Sequence, residues 1–403
     1  MLKPKRLLIN IHYLEIGGAE TSLLGLLHAL DPKEIDVDLL INNPHGELMK
    51  YIPTWVNIIK SPKSYNYIER PLVETVRDGQ LGVVYGRLKA KICYKFSGSR
   101  GDAIFGYVGK YVTPFLPSLK KLGTYDVALS YLAPHNIVLK KITAKKKICW
   151  IHTDYSKIEI NRKLEIPVWS GYDRIVSISP EVTKSFLQIF PTLKDKIVEI
   201  ENFLPIELIK NKADEFLPED MTKEEGIINL LTIGRYCEAK RIDEIPQMAR
   251  ILKHNGIKFK WFIIGYGSEQ ELNKIKNQIS INNVDEEVVL LGKKVNPYPY
   301  IKSCDAYIQP SRYEGKSITV REAQLLGKPV VITNYPTASS QLKDGVDGCI
   351  GPYDTVAFSD FLKMLIKDSE KLNKIKRTLN QKVYSQNEYL REFISLFKND
   401  NEI

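Results

Sequence analysis

Residues Arg6–Ile41 read RLLINIHYLEIGGAETSLLGLLHALDPKEIDVDLLI, and the stretch changes period twice. Arg6–Ile11 is a short apolar run, the mark of a parallel strand covered on both faces. Gly17 and Gly18 form a turn, after which Leu23, Leu24, Leu27 and Leu30 recur at helical spacing within Glu20–Leu30. Ile35–Ile41 returns to strand. A strand, a helix and a second strand in about 35 residues make a βαβ unit. Val127–Tyr131, Lys147–Ile151 and Arg174–Ser177 continue the series. Past the Asn202–Pro205 stretch a second series begins, with strands expected at Ile227–Ile233, Lys260–Ile264, Val288–Leu291, Ala306–Gln309 and Pro329–Thr333. Helices are expected between them, for example at Ser268–Ile279 and Ser317–Leu326. Two successive series predict two doubly wound α/β domains, divided near Phe203–Pro205. Asp368–Phe397 reads as one closing helix.

The chain has 403 residues, of which 43% are hydrophobic and 26% charged, an ordinary globular balance that excludes wholesale disorder. No run is long enough for a spanning helix. The start, MLKPKRLLINIHYL, is basic but has no small-residue cleavage site, so no signal peptide is read. Five scattered cysteines form no C-x-x-C pair, which suggests neither a zinc site nor a disulfide framework and fits a cytoplasmic location. The net charge of +10 lies in the first half, where residues 81–150 alone hold 13 basic and 2 acidic side chains.

Ligands of open parallel sheets sit at the carboxyl ends of the strands, so with two sheets the default site is a cleft between the domains. The loops after strands therefore matter most. In Pro310–Val331, PSRYEGKSITVREAQLLGKPVV, a strand ends, a loop carries Glu314–Gly315, and a helix opens near Ser317. Gly315 admits a ligand close to the backbone. The amides of Ser317, Ile318 and Thr319 are expected free at the helix start, an anion site, while Glu314 and Glu322 offer carboxylates to hydroxyls. In Leu231–Asp243, LTIGRYCEAKRID, Arg235, Lys240 and Arg241 suit a diphosphate, Arg as a planar fork and Lys as a point charge. Gly17–Gly18 and Gly265–Tyr266–Gly267 are glycine turns of the kind that approach phosphate. His152 ends a strand, where it can contact a sugar or shuttle a proton. Asp36–Val37–Asp38 has the D-x-D form of a metal site but sits in an alternating strand, which favours plain strand charge.

Taken together, these motifs resemble the retaining glycosyltransferases of family 4, with the GT-B fold. The resemblance rests on GGAE at Gly17–Glu20, His152, GR-x4-K at Gly234–Lys240, IGYGSE at Ile264–Glu269, EGKS-x4-EA-x3-GKPVV at Glu314–Val331 and DG-x2-G at Asp344–Gly348. It implies two Rossmann-like domains facing across a cleft: 1–203 for the acceptor, 204–380 for the nucleotide-sugar donor, and a helix within 381–403 returning to the first. It further implies that Glu314 contacts the transferred sugar and Glu322 the ribose. Arg235 and Lys240 would hold the diphosphate, which Gly17 and Gly18 would approach, and His152 would hydrogen-bond the donor sugar. On the same resemblance Gly315, Lys316, Ser317, Ile318 and Thr319 would complete the donor-binding set, with Glu314 and His152 as the catalytic pair. The family needs no metal or cofactor. The resemblance implies as donor a nucleoside-diphosphate sugar, UDP-sugar favoured, and as acceptor a glycan or lipid-linked molecule of surface polysaccharide or glycolipid assembly. A sugar-nucleotide epimerase, a phosphorylase and a non-catalytic sugar-nucleotide-binding subunit are the alternatives.

No nucleic-acid motif accompanies the basic segment. Leu81, Val84, Tyr85, Leu88, Ile92 and Phe96 fall on one helical face, flanked by Arg87, Lys89, Lys91 and Lys95, with Lys145–Lys147 adding charge. This pattern predicts peripheral contact with an anionic membrane. The competing expectation is that the apolar face packs on the first sheet.

Overall fold

The computed structural model describes residues 3–398. Two compact units form, the first running to Leu204 and resuming at Gln386, the second being Pro205–Ser385. In the first, β1 (Lys5–Ile11), β2 (Ile35–Ile41), β3 (Asn57–Ile59), β4 (Thr124–Ser130), β5 (Thr143–Ile151), β6 (Arg174–Ser177) and β7 (Ile197–Glu199) make one parallel sheet. Its order is β3-β2-β1-β4-β5-β6-β7, with Ile9 opposite Leu39 on one side and Leu129 on the other. The second unit holds β8 (Ile228–Ile233), β9 (Phe259–Ile264), β10 (Val288–Gly292), β11 (Ala306–Gln309), β12 (Val330–Thr333) and β13 (Cys349–Gly351), all parallel, in the order β10-β9-β8-β11-β12-β13. Helices cross between the strands in both, so each unit is doubly wound as expected.

Burial explains the apolar runs. Leu7, Leu8, Ile9 and Ile11 are fully buried, and each such side chain contributes roughly 1.5–3 kcal/mol on leaving water. In the helix Gly18–Ala29 every residue from Glu20 to Leu27 is buried. Gly25 lets this helix approach the main chain at Phe203, since a Cβ there would come within 2.5 Å of the Phe203 backbone. The three-residue strands β3, β7 and β13 escaped the sequence reading. They are too short to show a period, and Asn57 and Ile58 of β3 are exposed.

The closing helix differs from expectation. Ser369–Gln381 and Asn387–Ser395 are separate helices. Ile375 and Leu379 bury in the core of the second unit, whereas Phe393, Leu396 and Phe397 join that of the first, so the chain must leave helix between them. Gln386 fixes the return: its side chain accepts from the Leu204 amide (2.5 Å) and donates to the Leu204 carbonyl (2.7 Å). Residues 399–403 of the expected returning segment lie outside the described residues.

The basic segment opens with the helix Leu81–Phe96, whose inner face is Val83, Gly86 and Ala90. A Cβ on Gly86 would lie 2.6 Å from the Tyr111 carbonyl oxygen, so the helix Ala103–Val112 packs against it closely. The expected apolar face points the other way. Leu81, Tyr85, Leu88, Ile92 and Phe96 are 44–83% exposed, which overturns packing on the sheet. Val84 is only half-buried. Arg87 does not flank this face as expected. It sits half-buried and donates to the carbonyls of Tyr67 (3.2 Å) and Arg70. Lys145–Lys147 are likewise engaged, with Asp126, the Lys398 carbonyl and the Leu139 carbonyl respectively.

Candidate active site

In each sheet the chain reverses direction beside the first strand, and crevices open at such switch points. In the second unit the switch lies between β8 and β11, which pair directly, Ala306 opposite Leu230. The loops leaving their carboxyl ends carry Gly234–Lys240 and Pro310–Ser317.

These loops bring Lys240 and Glu314 together. Lys240 Nζ donates to Glu314 Oε1 at 2.7 Å and to Oε2 at 2.9 Å, with only 21% and 10% of the two side chains exposed. Gln309 Nε2 and Ser311 Oγ also donate to Oε1, each at 2.6 Å. The Tyr307 hydroxyl holds Gln309 by donating to its Oε1 at 2.7 Å. Glu314 is therefore locked by three donors on one oxygen, while Lys240 alone is bound at Oε2. A carboxylate fixed in this way presents a preset acceptor to a ligand hydroxyl.

Arg235 is exposed and, among the described residues, makes no ion pair or hydrogen bond. Gly234 packs beneath the Lys240 stem, where a Cβ would lie 3.2 Å from its Cγ. The next loop comes closer still: a Cβ on Gly265 would be 2.0 Å from the Gly234 carbonyl oxygen. Arg241 does not join the cationic group. It takes a left-handed conformation (φ 55°) and turns inward, donating to Glu244 (2.7 Å), the Tyr353 carbonyl (2.5 Å) and Thr355 (2.5 Å).

The helix expected from Ser317 runs Ile318–Leu325. Ser317 differs from expectation: its amide is taken by Gln341 Oε1 at 2.6 Å, and its carbonyl accepts from Gln341 Nε2 at 3.1 Å. Among the described residues no side chain caps the first turn, which leaves its amides, those of Ile318 and Thr319 included, as donors. Gly315 and Lys316 occupy the loop before it. Thr337 Oγ1 donates to the Glu314 carbonyl at 2.9 Å and ties that loop down. Glu322, buried inside the helix, accepts from the Tyr298 hydroxyl at 3.0 Å. Burial pushes its pKa up to about 7, against the hydrogen bond from Tyr298.

The first unit gathers polar groups at its own switch point. The ring nitrogens of His152, just past the end of β5, are buried and, among the described residues, have no partner in hydrogen-bond geometry. The ring stacks on Trp150 with an interplanar angle of 9°. Burial drives its pKa down to about 3, outweighing the nearby charged-form contacts from the Tyr131 backbone and Asn202. The imidazole is thus neutral at physiological pH, a hydrogen-bonding group rather than a cation. Among the described residues Asn10 Oδ1, His12 Nδ1, Asn42 Nδ2 and Asn202 Oδ1 likewise lack a partner in hydrogen-bond geometry, all at or just past strand carboxyl ends. Buried polar atoms without partners mark places where a ligand or water completes the bonding. His12, which the sequence reading missed, pairs through Nε2 with Glu69 at 3.1 Å, and that bond holds the Glu69 carboxyl below its usual range. Gly18 opens the first helix. At Gly17 a Cβ would come within 2.2 Å of Glu20 Oε2, so the glycine makes room for that carboxylate.

Asp36 and Asp38 lie in β2. Asp38 accepts from Arg6 (3.3 Å), Asn57 (2.5 Å) and Tyr125 (2.6 Å), which makes it a structural anchor.

Residues 214–382 match the family model of the glycosyl transferases group 1. The uncharacterized glycosyltransferase MJ1059 of Methanocaldococcus jannaschii is 25% identical over 220 residues, 51% of this chain and 52% of that protein. The O-antigen biosynthesis glycosyltransferase WclY of Escherichia coli is 24% identical over 169 residues, 42% of this chain and 45% of that protein. The chain thus matches about half the length of these relatives. Among solved structures, Anabaena HepE in complex with UDP and glucose superposes with a TM-score of 0.68 at 12% identity, covering 97% of this chain and 98% of that one. The family model and the relatives support a glycosyltransferase of group 1, and the structural likeness shows the GT-B fold.

Proposed function

We propose that this chain is a retaining, metal-independent glycosyltransferase that moves a hexose-type sugar from a nucleoside-diphosphate donor, UDP-sugar favoured, to a glycan or lipid-linked acceptor in surface polysaccharide assembly. The observation that carries the reading is the Lys240–Glu314 pair at the switch point, with the cation of Arg235, unpaired among the described residues, on the same loop as Lys240. Two cations and the first-turn amides of Ile318 and Thr319 suit a diphosphate, and a fixed carboxylate suits a sugar hydroxyl.

In this account Arg235 and Lys240 bind the diphosphate and stabilise the charge that grows as the anomeric C–O bond breaks. Glu314 Oε2 accepts a hydroxyl of the transferred sugar, and Glu322 accepts the ribose hydroxyls. His152, held neutral, hydrogen-bonds the sugar near the reacting carbon. The acceptor hydroxyl attacks from the face that the phosphate leaves and gives its proton to the departing phosphate oxygen, so no protein nucleophile is needed. Neither His152 nor Glu314 carries that proton. Turnover is expected to survive a chelator.

The location proposed is cytoplasmic, at the inner face of the membrane. The open face of the helix Leu81–Phe96 supports it: five large apolar side chains are exposed, Lys89, Lys91 and Lys95 flank them, and the helix has no acidic residue. Face-to-face contact with a second copy would bring like charges together. No helix of the described residues is long and apolar enough to cross a membrane.

A panel of sugar nucleotides screened for thermal stabilisation, followed by hydrolysis and transfer assays, tests the function. Saturable stabilisation by one nucleoside-diphosphate sugar supports it, and no response to any member of the panel refutes it.

A further inference from the structure

A cavity of about 310 Å³ opens in the first unit among the helices Ala103–Val112, Asn136–Lys141 and Arg162–Ser170. Lys110, Lys140, Lys141 and Lys163 line it, and no carboxylate does. None of the four lysines is in an ion pair among the described residues. Lys141 makes only a long contact, 3.4 Å, to the Pro114 carbonyl, and burial lowers its pKa. Glu165, on the helix Arg162–Ser170 but outside the lining, accepts from the Trp169 indole (2.9 Å), and burial raises its pKa. Between the cations the lining is apolar, from Leu139, Leu164 and Val168. None of the unpartnered groups at the strand ends is among the lining residues.

A second observation identifies the occupant. Pro114 lines the cavity, and the next residue, Phe115, is exposed and meets Tyr85 of the open apolar face edge-on, ring centroids 5.6 Å apart. The cavity therefore adjoins that face. At roughly 30 Å³ for a water-sized group, its volume matches about ten non-hydrogen atoms, the size of a glycerol phosphate. We propose that the cavity holds the phosphate headgroup of an anionic membrane lipid, whose chains leave past Phe115 onto the open apolar face. The lysines meet the phosphate, and Leu139, Leu164 and Val168 meet the glycerol carbons. This inference rests on the membrane-facing reading of the helix Leu81–Phe96, and it converts a general attraction into one stoichiometric site.

The test uses the full chain and soluble lipid, so it needs no bilayer and no glycosyl transfer. Calorimetry is run with dihexanoyl phosphatidic acid below its micelle concentration, with inorganic phosphate, and with dihexanoyl phosphatidylcholine. Saturable one-to-one binding of the phosphatidic acid is expected, with no comparable binding of the other two. Lys140→Gln with Lys141→Gln should weaken it roughly tenfold or more, as the loss of charge-assisted contacts predicts. Leu164→Trp, which fills the cavity, should abolish it, and sugar-nucleotide hydrolysis should be unchanged in the lysine variant. Equal affinity for inorganic phosphate would make this a free-anion site and overturn the lipid assignment. Absent binding, or binding indifferent to the lysine substitutions, would overturn the site itself. Loss of vesicle binding on altering Lys89, Lys91 and Lys95, with phosphatidic acid binding intact, separates the two readings.

Discussion

Lys240 Nζ bridges both oxygens of Glu314, at 2.7 and 2.9 Å, and so joins the loop after β8 to the loop after β11. One cation thus serves two purposes, holding Glu314 in place and facing the expected diphosphate. Arg235, with no partner among the described residues, is left for the ligand. Each charged contact is worth roughly 1.5–3 kcal/mol. Arg235→Ala should therefore weaken nucleoside-diphosphate affinity roughly ten- to hundredfold with no change in melting temperature. Lys240→Ala should weaken it as much and lower the melting temperature as well, because the largely buried Glu314 loses its half-buried partner. Calorimetry and thermal unfolding on both variants check this. Unchanged affinity in both removes them from the site.

Glu322 makes stability depend on pH. Its folded pKa is raised by burial from 4.5 to about 7. A raised carboxyl favours folding below its unfolded pKa, and that advantage is lost as pH climbs through 7. The loss is on the order of 3 kcal/mol. Unfolding of the wild type and Glu322→Gln between pH 4.5 and 8 should show the wild type losing ground to the variant across that window. Parallel profiles would show that Glu322 is not titrating there. Donor affinity should rise over the same range, since ribose hydroxyls need an ionised acceptor.

His152 is neutral at all working pH values, its pKa being driven to about 3. His152→Ala should lower turnover by a similar factor at pH 6 and pH 8, roughly tenfold for one lost hydrogen bond to the transition state. A rate limb near pH 6.5 that vanishes in the variant would instead make His152 a proton carrier.

Much of this was legible because periodicity and glycine turns are local. The strand Ile35–Ile41 and the loop Glu314–Ser317 follow from adjacent residues. The supports of the site are not local. Tyr298 reaches Glu322 from 24 positions away, and Gln341 reaches Ser317 across another 24. Gln309, a polar residue ending the apolar run AYIQ, was the one visible hint that Glu314 is held from below. The pairing of Lys240 with Glu314 could not be read either, because it depends on β8 lying beside β11. Nor could the inward turn of Arg241, which follows from a left-handed backbone next to Thr355 and Tyr353.

The open face of Leu81–Phe96 should bind anionic vesicles. Three flanking lysines at about 1 kcal/mol each give roughly a hundredfold preference over neutral vesicles, falling with salt. Lys89→Gln, Lys91→Gln and Lys95→Gln together should erase it. Arg87→Gln should act on stability instead, because its guanidinium holds the carbonyls of Tyr67 and Arg70. Co-sedimentation that is the same with neutral and anionic vesicles contradicts the assignment.

The most direct test of the central claim is steady-state nucleoside-diphosphate release by the wild type and Glu314→Gln, with donor affinity measured alongside. Gln keeps the shape and the Ser311 contact but loses the charge that Lys240 grips, at the oxygen that is to meet the sugar. The account predicts release from one sugar nucleotide by the wild type and a fall of about a hundredfold or more in kcat for Glu314→Gln, with a much smaller change in donor affinity. Equal turnover by the two proteins, or no release from any sugar nucleotide by the wild type, would contradict it.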